Sequence, residues 1–266
     1  MTMLNALFFS SLALYLLSVI LYFTGMALKT KIIPRIVWFV FLAGFLLHTG
    51  YFLGRGMVAG RLPLSNQFEF AMSLSWGVGL IYIILRIKFK ADWITAVALP
   101  SVFLILFYAS FLPRDIKELM PALRSPWFGF HIGAAVVSYA SFVLAGCAGI
   151  RYLLLLKKGE PEDGTHLRQI DSLSYRLIGL GMIMLTVVIL SGSVWAEQAW
   201  SSFWSWDPKE LWSLITWLVY AIYLHQRLRK KWRGKPMAIF SFVAVIIVLF
   251  TFIGVNTLLS GLHSYR

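Results

Sequence analysis

The chain of 266 residues holds five histidines, His48, His131, His166, His225 and His263, and eleven tryptophans. Six of the tryptophans, Trp195, Trp200, Trp204, Trp206, Trp212 and Trp217, crowd around the run Phe203-Trp204-Ser205-Trp206-Asp207-Pro208-Lys209-Glu210. Neutral imidazole is the commonest protein ligand for a metal, and indoles build a flat apolar wall. Together they suit a large, flat, apolar ligand that carries a metal. Zinc wants three or four compact ligands drawn from His, Cys or carboxylate, and the sequence places no such cluster beside the tryptophans. A haem needs one axial ligand on each face, so a pair of histidines flanking the aromatic run is the better match.

Such residues need elements to carry them. Hydrophobic residues make up 59% of the chain and charged residues 13%, with a mean hydropathy of +0.78. Soluble domains sit near half apolar and a quarter charged, so an integral membrane protein is expected. The net charge of +13 does not read as nucleic-acid binding. The basic residues fall in short blocks between apolar runs of about 20 residues, the length of a bilayer-crossing helix. A membrane barrel would instead alternate over about ten residues. The expected fold is therefore all-α and polytopic, with eight spans over roughly 4–28, 36–54, 64–86, 93–112, 127–156, 177–195, 211–226 and 238–260. No internal repeat or low-complexity linker divides it. The first span has no basic residue ahead of it and reads as a retained helix rather than a cleaved signal.

Seventeen of the 24 basic residues fall in one set of loops, within 29–35, 86–90, 151–176 and 227–235, and seven in the other set. The positive-inside rule assigns the larger set to the cytoplasm. Both termini and the tryptophan-rich loop are then expected outside.

On that topology the histidines separate by depth. Ser125-Pro126-Trp127 is a helix start, with serine as N-cap and proline as first helical residue, which puts His131 about 8 Å into the fifth span. His263 follows the eighth span on the same external side. His225 lies about 21 Å into the seventh span, in the inner leaflet. His48 sits mid-span, with its role open, and His166 reads as a solvated histidine in the cytoplasmic loop 157–176. His131 and His263 thus share one external level with the tryptophans. Membrane-belt tryptophan is ordinary, and Asp207-Pro208-Lys209-Glu210 is a good helix start, with Asp207 as N-cap and Glu210 closing a capping box. Neither explains Trp195, Trp200, Trp204 and Trp206 so close together. Trp200, Phe203 and Trp204 would share a face if the loop held a short helix.

Two further features carry alternatives. In Pro63-Leu-Ser-Asn-Gln-Phe-Glu69, Ser65 or Asn66 caps a helix whose positive end Glu69 complements, or Glu69 is a functional carboxylate near the outer surface. The single cysteine, Cys147, excludes an internal disulfide and a Cys-x-x-Cys redox pair, and reads as a small packing residue.

The stretch from Trp195 to Glu210 resembles the tryptophan-rich "WWD" signature of haem-handling membrane proteins, and its Asp-Pro-Lys-Glu ending resembles the CcsA/ResC branch of system II cytochrome c biogenesis. Supporting matches run from Pro63 to Glu69, around His131, over Tyr223-Leu-His225-Gln-Arg227 and over Gly261-Leu-His263-Ser-Tyr265. Ser201 and Phe203 stand where that family's pattern has Gly and Tyr. The resemblance covers about 200 residues from the second span onward, within what reads as one transmembrane domain over 1–266 with an external loop at 195–212. It implies transport of haem b to the outer face and covalent thioether attachment to an apocytochrome c bearing Cys-x-x-Cys-His. His131 and His263 would ligate the external haem iron, with Trp195, Trp200, Trp204, Trp206 and Asp207 around it. His225 would serve an inner haem whose second ligand comes from a CcsB/ResB-type subunit. The expected setting is the cell's inner membrane or a thylakoid-type membrane, with no nucleic-acid partner. Cytochrome c synthase activity through positioning is the expected catalytic role, with no side chain assigned to bond-making. The alternative is a CcmC-type haem exporter or chaperone that hands haem to another carrier. A b-type electron-transfer subunit would pair its histidines inside the bilayer.

Overall fold

The computed structural model describes residues 2–30, 32–229 and 231–259. Within them the long elements are helices: α1 (Thr2–Leu28), α2 (Ile33–Ala59), α3 (Gln67–Phe89), α4 (Thr95–Ser110), α5 (Pro126–Lys157), α6 (Thr165–Trp200), α7 (Pro208–Arg229) and α8 (Lys235–Leu258). Seven of these segments are long and apolar enough to cross a membrane, α4 together with the short turn Asp92–Ile94 before it. The protein is an all-α, multi-pass membrane protein. The remaining helix, α7, begins with Lys209 and Glu210 and ends with Arg227 and Arg229, so its apolar middle is short.

Helix boundaries follow local chemistry. Asn66 caps α3 by accepting the Glu69 amide, 2.8 Å. Gly60 ends α2 in the left-handed region at φ 63°, where a residue without Cβ is unstrained. Two helices outrun their apolar cores. The loop expected at 157–176 shrinks to 158–164, because α6 begins at Thr165, with Leu167, Ile170 and Ser174 buried along one face. The loop expected at 195–212 shrinks to 201–207, because α6 continues to Trp200 and α7 starts at Pro208. Hydropathy detects only the uniformly apolar part of a helix, whereas these extensions are amphipathic and are stabilised by one packed face.

Residues before Leu119 form one compact unit and those from Leu119 a second. In the first, α1 packs along α2, α3 along α4, and α4 against α1. Its interior is aromatic: Tyr15 stacks on Phe41 at 5.6 Å, and Phe41 meets Tyr82 edge-on at 4.9 Å. His48 is fully buried there, with Nδ1 3.2 Å from the Tyr15 hydroxyl. In the second unit α5 is central, packed on α6 and α8, while α7 bridges α6 and α8. Helices in lipid gain little from burial as such and associate by close packing. Gly146 and Gly149 make that possible on α5: a Cβ at Gly146 would stand 2.5 Å from Val245, and one at Gly149 2.6 Å from the Ala238 carbonyl. Phe142 of α5 stacks face to face on Tyr220 of α7 at 3.7 Å.

Candidate functional site

The aromatic residues of the second unit gather where α5 begins, α6 ends and α7 begins. Ser125 caps α5 by accepting the Trp127 amide at 3.3 Å, with Pro126 in the first turn, so His131 falls about one and a half turns into the helix. Its Nδ1 lies 2.9 Å from the Val188 carbonyl of α6. A carbonyl only accepts, so Nδ1 carries a ring proton, and in the neutral imidazole Nε2 then carries the lone pair. A backbone anchor of this kind is the usual partner of a metal-ligating imidazole. The ring lies against Gly192, where a Cβ would stand 2.8 Å from His131 Cε1 and 2.9 Å from Nδ1. Its flank lies over Trp195, centroids 6.1 Å apart at an interplanar angle of 28°.

Trp195 is a backing residue rather than part of the surface. Only 1% exposed, it forms a small core with Leu123 and Phe128, on which Ile132 and Trp200 also pack. Trp200 meets it edge-on at 5.0 Å and is half-buried at the end of α6. The short loop helix that would put Trp200, Phe203 and Trp204 on one face is absent, as residues 201–207 are non-helical. Ser201 instead ends α6 in the left-handed region at φ 56°, the position at which the resembling family pattern carries glycine.

The loop is pinned by Glu210. Its carboxylate accepts the Ser205 amide at 2.8 Å, the Ser205 hydroxyl at 3.3 Å and the Asp207 amide at 3.2 Å. Asp207, nearly buried, accepts the Lys209 amide at 2.9 Å through its side chain. Asp207 and Glu210 thus complete the capping box of α7. Between the pinned Ser205 and Asp207, Trp206 is held at φ 59° and is 66% exposed. A bulky residue in the left-handed region is a strained arrangement, and here it projects an indole from the loop. Trp204 lies perpendicular to it at 5.9 Å. Trp212 packs on Phe250 at 4.4 Å, within the π-helical segment Phe250–Gly254 of α8. Trp217 donates to the Thr186 hydroxyl at 3.0 Å, tying α7 to α6.

The fold therefore brings His131, Trp195, Trp200, Trp204, Trp206 and Asp207 to one end of the second unit. His225 does not join them. It lies 17 residues beyond Pro208 on α7, about 26 Å along the helix, and is exposed. His263 lies outside the described residues.

Residues 64–263 match the family model described as cytochrome C assembly protein. The chain belongs to this family. Among its relatives are the cytochrome c biogenesis protein CcsA of Chlamydomonas reinhardtii, 41% identical over 90% of this chain and 69% of that one, and the CcsA of Prochlorococcus marinus (strain AS9601), 36% identical over 83% and 81%. The CcsA of Marchantia polymorpha is 36% identical over 82% of each chain. Membership of the CcsA group of cytochrome c biogenesis proteins follows from these identities and coverages. A solved structure described as cytochrome c heme lyase CcmF shares the fold, with a TM-score of 0.73 over 94% of this chain at 15% sequence identity. This chain spans 46% of that structure's length.

The matched segment opens at Leu64, beside one of two polar clusters that sequence reasoning did not assemble. Glu69 is fully buried in the first unit and is bound by two arginines, Arg55 at 2.9 Å and Arg61 at 2.8 Å, and by the Ser65 amide at 2.8 Å. Arg55 also donates to the Arg114 and Asp115 carbonyls. Asn66 is the cap, and Glu69 is the hub of a clamp on the segment after α4. In the second unit, Arg227 binds both oxygens of Asp171 at 2.6 and 2.7 Å, and the Gly234 amide donates to Asp171 at 3.1 Å. Arg227 and His225 are two residues apart, about 200° around the helix. Arg227 turned toward α6 therefore leaves His225 on the outward face. Asp171, the acid between Arg168 and Arg176, was the available signal for the second cluster. In the first, Arg55, Arg61 and Glu69 lie near one another in the chain, but their spacing gave no sign that both arginines turn onto one carboxylate.

Proposed function

We propose that this member of the cytochrome c assembly family presents haem b at the outer membrane face and promotes its covalent attachment to an apocytochrome c. The observation that supports the reading most directly is His131: Nδ1 anchored on the Val188 carbonyl, the ring seated over Gly192 and backed by Trp195. The donor chemistry fits a haem, because an imidazole in the Nε2 lone-pair tautomer stands beside an apolar aromatic wall. His131 and His263 are the proposed axial pair, and Trp200, Trp204 and the projecting Trp206 the proposed surface at the macrocycle's edge.

Attachment adds each thiol of a Cys-x-x-Cys-His segment across a vinyl double bond. The S–H bond breaks, an S–C bond forms and the proton ends on the neighbouring vinyl carbon, with no net oxidation. The bound haem supplies those vinyl groups. The chain's contribution is placement, since holding two reactants in register supplies much of a barrier by itself. His225, outward on α7, is the proposed ligand of an inner haem, with its second ligand from a CcsB/ResB-type subunit. Orientation by basic loops puts the tryptophan loop and both termini outside the inner or thylakoid-type membrane.

The test is purification of the chain with and without the partner subunit, with haem absorption recorded for His131→Ala, His263→Ala and His225→Ala. The first two are expected to lose the external haem and cytochrome c maturation, both regained with added imidazole. Wild-type maturation by both variants without imidazole would overturn the reading.

A further inference from the structure

A groove of about 330 Å³ opens in the first unit where α1 ends and α2 begins, a volume at the lower end of small-molecule sites. Gly25 and Val37 are its buried floor, and Tyr22, Met26 and Ile33 its walls. Gly25 lets the two helices close at the base, since a Cβ there would stand 2.5 Å from Ile33 Cγ2. The Thr30 amide turns back to the Gly25 carbonyl at 3.3 Å, which sets Lys29 and Thr30 at the rim. The groove is thus apolar below and cationic with a hydroxyl above.

Charge decides its occupant. Lys29 lies at this turn and Arg35 in the first turn of α2, yet no Asp or Glu occurs in the sequence before Glu69. Glu69 is engaged by Arg55 and Arg61, and Asp92 by Arg86 at 3.1 Å. Among the described residues no ion pair involves Lys29 or Arg35, both of which are exposed. The groove lies at the end of two helices long and apolar enough to cross a membrane, the level at which lipid headgroups sit. Basic pockets between helices on the cytoplasmic side suit anionic headgroups.

We propose that this groove is a binding site for an anionic phospholipid, with an acyl chain against Gly25 and Val37 and the phosphate on Lys29 and Thr30. Free phosphate would use only the rim and leave the apolar floor unfilled.

The full chain reconstituted in equal amounts of phosphatidylglycerol and phosphatidylcholine, then re-extracted gently and weighed by native mass spectrometry, tests this. Phosphatidylglycerol is expected to be retained in preference. Lys29→Gln should lower its retention about fivefold, the worth of one juxtamembrane charge. Met26→Trp, which fills the wall at an exposed position, should lower it as well. Lys88→Gln, a cation on α3 outside the groove, should leave it unchanged. Equal retention of the two lipids, equal loss in Lys88→Gln and Lys29→Gln, or displacement by inorganic phosphate would each overturn the proposal.

Discussion

His131 is defined by its neighbours more than by its place in the chain. Its tautomer depends on the Val188 carbonyl and its seat on the missing side chain of Gly192. Gly192→Ala brings a methyl within 2.8 Å of the ring and must displace it. Haem retention by the purified chain is expected to fall roughly 10- to 100-fold, as when a partner that orients a metal-ligating residue is lost. Haem absorption per chain against thermal stability reads this. Equal losses in both would mean a packing defect instead. Ser201 is a second case. Its departure from the family pattern was visible in the sequence, but only the φ of 56° gives the reason glycine belongs there. Relief of the left-handed penalty predicts that Ser201→Gly stabilises the protein by about 1 kcal/mol, measurable as a raised unfolding temperature in detergent. Trp195 shows the opposite limit, since nothing in its type or spacing separated a buried backing residue from an exposed face.

At the scale of elements, the apolar runs were legible because the bilayer demands them, and the helix ends were legible where caps were explicit, at Ser125-Pro126 and Asp207-Pro208. The amphipathic extensions of α6 were not, because their stability comes from a packed face. The rotation of α7 is a tertiary matter too, set near its end by the pair of Arg227 and Asp171. Arg227 is 3% exposed, so Arg227→Leu leaves a carboxylate with no counter-charge and should cost about 3–5 kcal/mol. The exchange Asp171→Arg with Arg227→Asp should recover more than half of that in thermal unfolding. No recovery would mean that the Gly234 amide on Asp171 matters more than the charge pair. The π-helical turn in α8, where Thr251 meets Thr216 at 3.0 Å and Trp212 meets Phe250, had no sequence signal, since one residue wound in excess leaves hydropathy unchanged.

For the whole molecule, the distribution of basic residues predicts that loop 201–207 lies outside and loop 158–164 in the cytoplasm. In a Cys147→Ala background, Ser202→Cys should react with a membrane-impermeant maleimide in intact cells, and Lys158→Cys only after lysis. Labelling of Lys158→Cys in intact cells would invert the assigned orientation. The sequence by itself determined the solvent and the helical class, because lipid leaves an unsatisfied backbone no option but a helix. It also singled out His131 and the tryptophans by type and crowding. Only the tertiary structure decided which tryptophan is core and which projects, that Glu69 is a clamp, and that His225 faces away from its own unit. Those outcomes depend on close approach between residues distant in the chain, through glycine gaps, carbonyl anchors and buried ion pairs, and neither periodicity nor composition records such contacts.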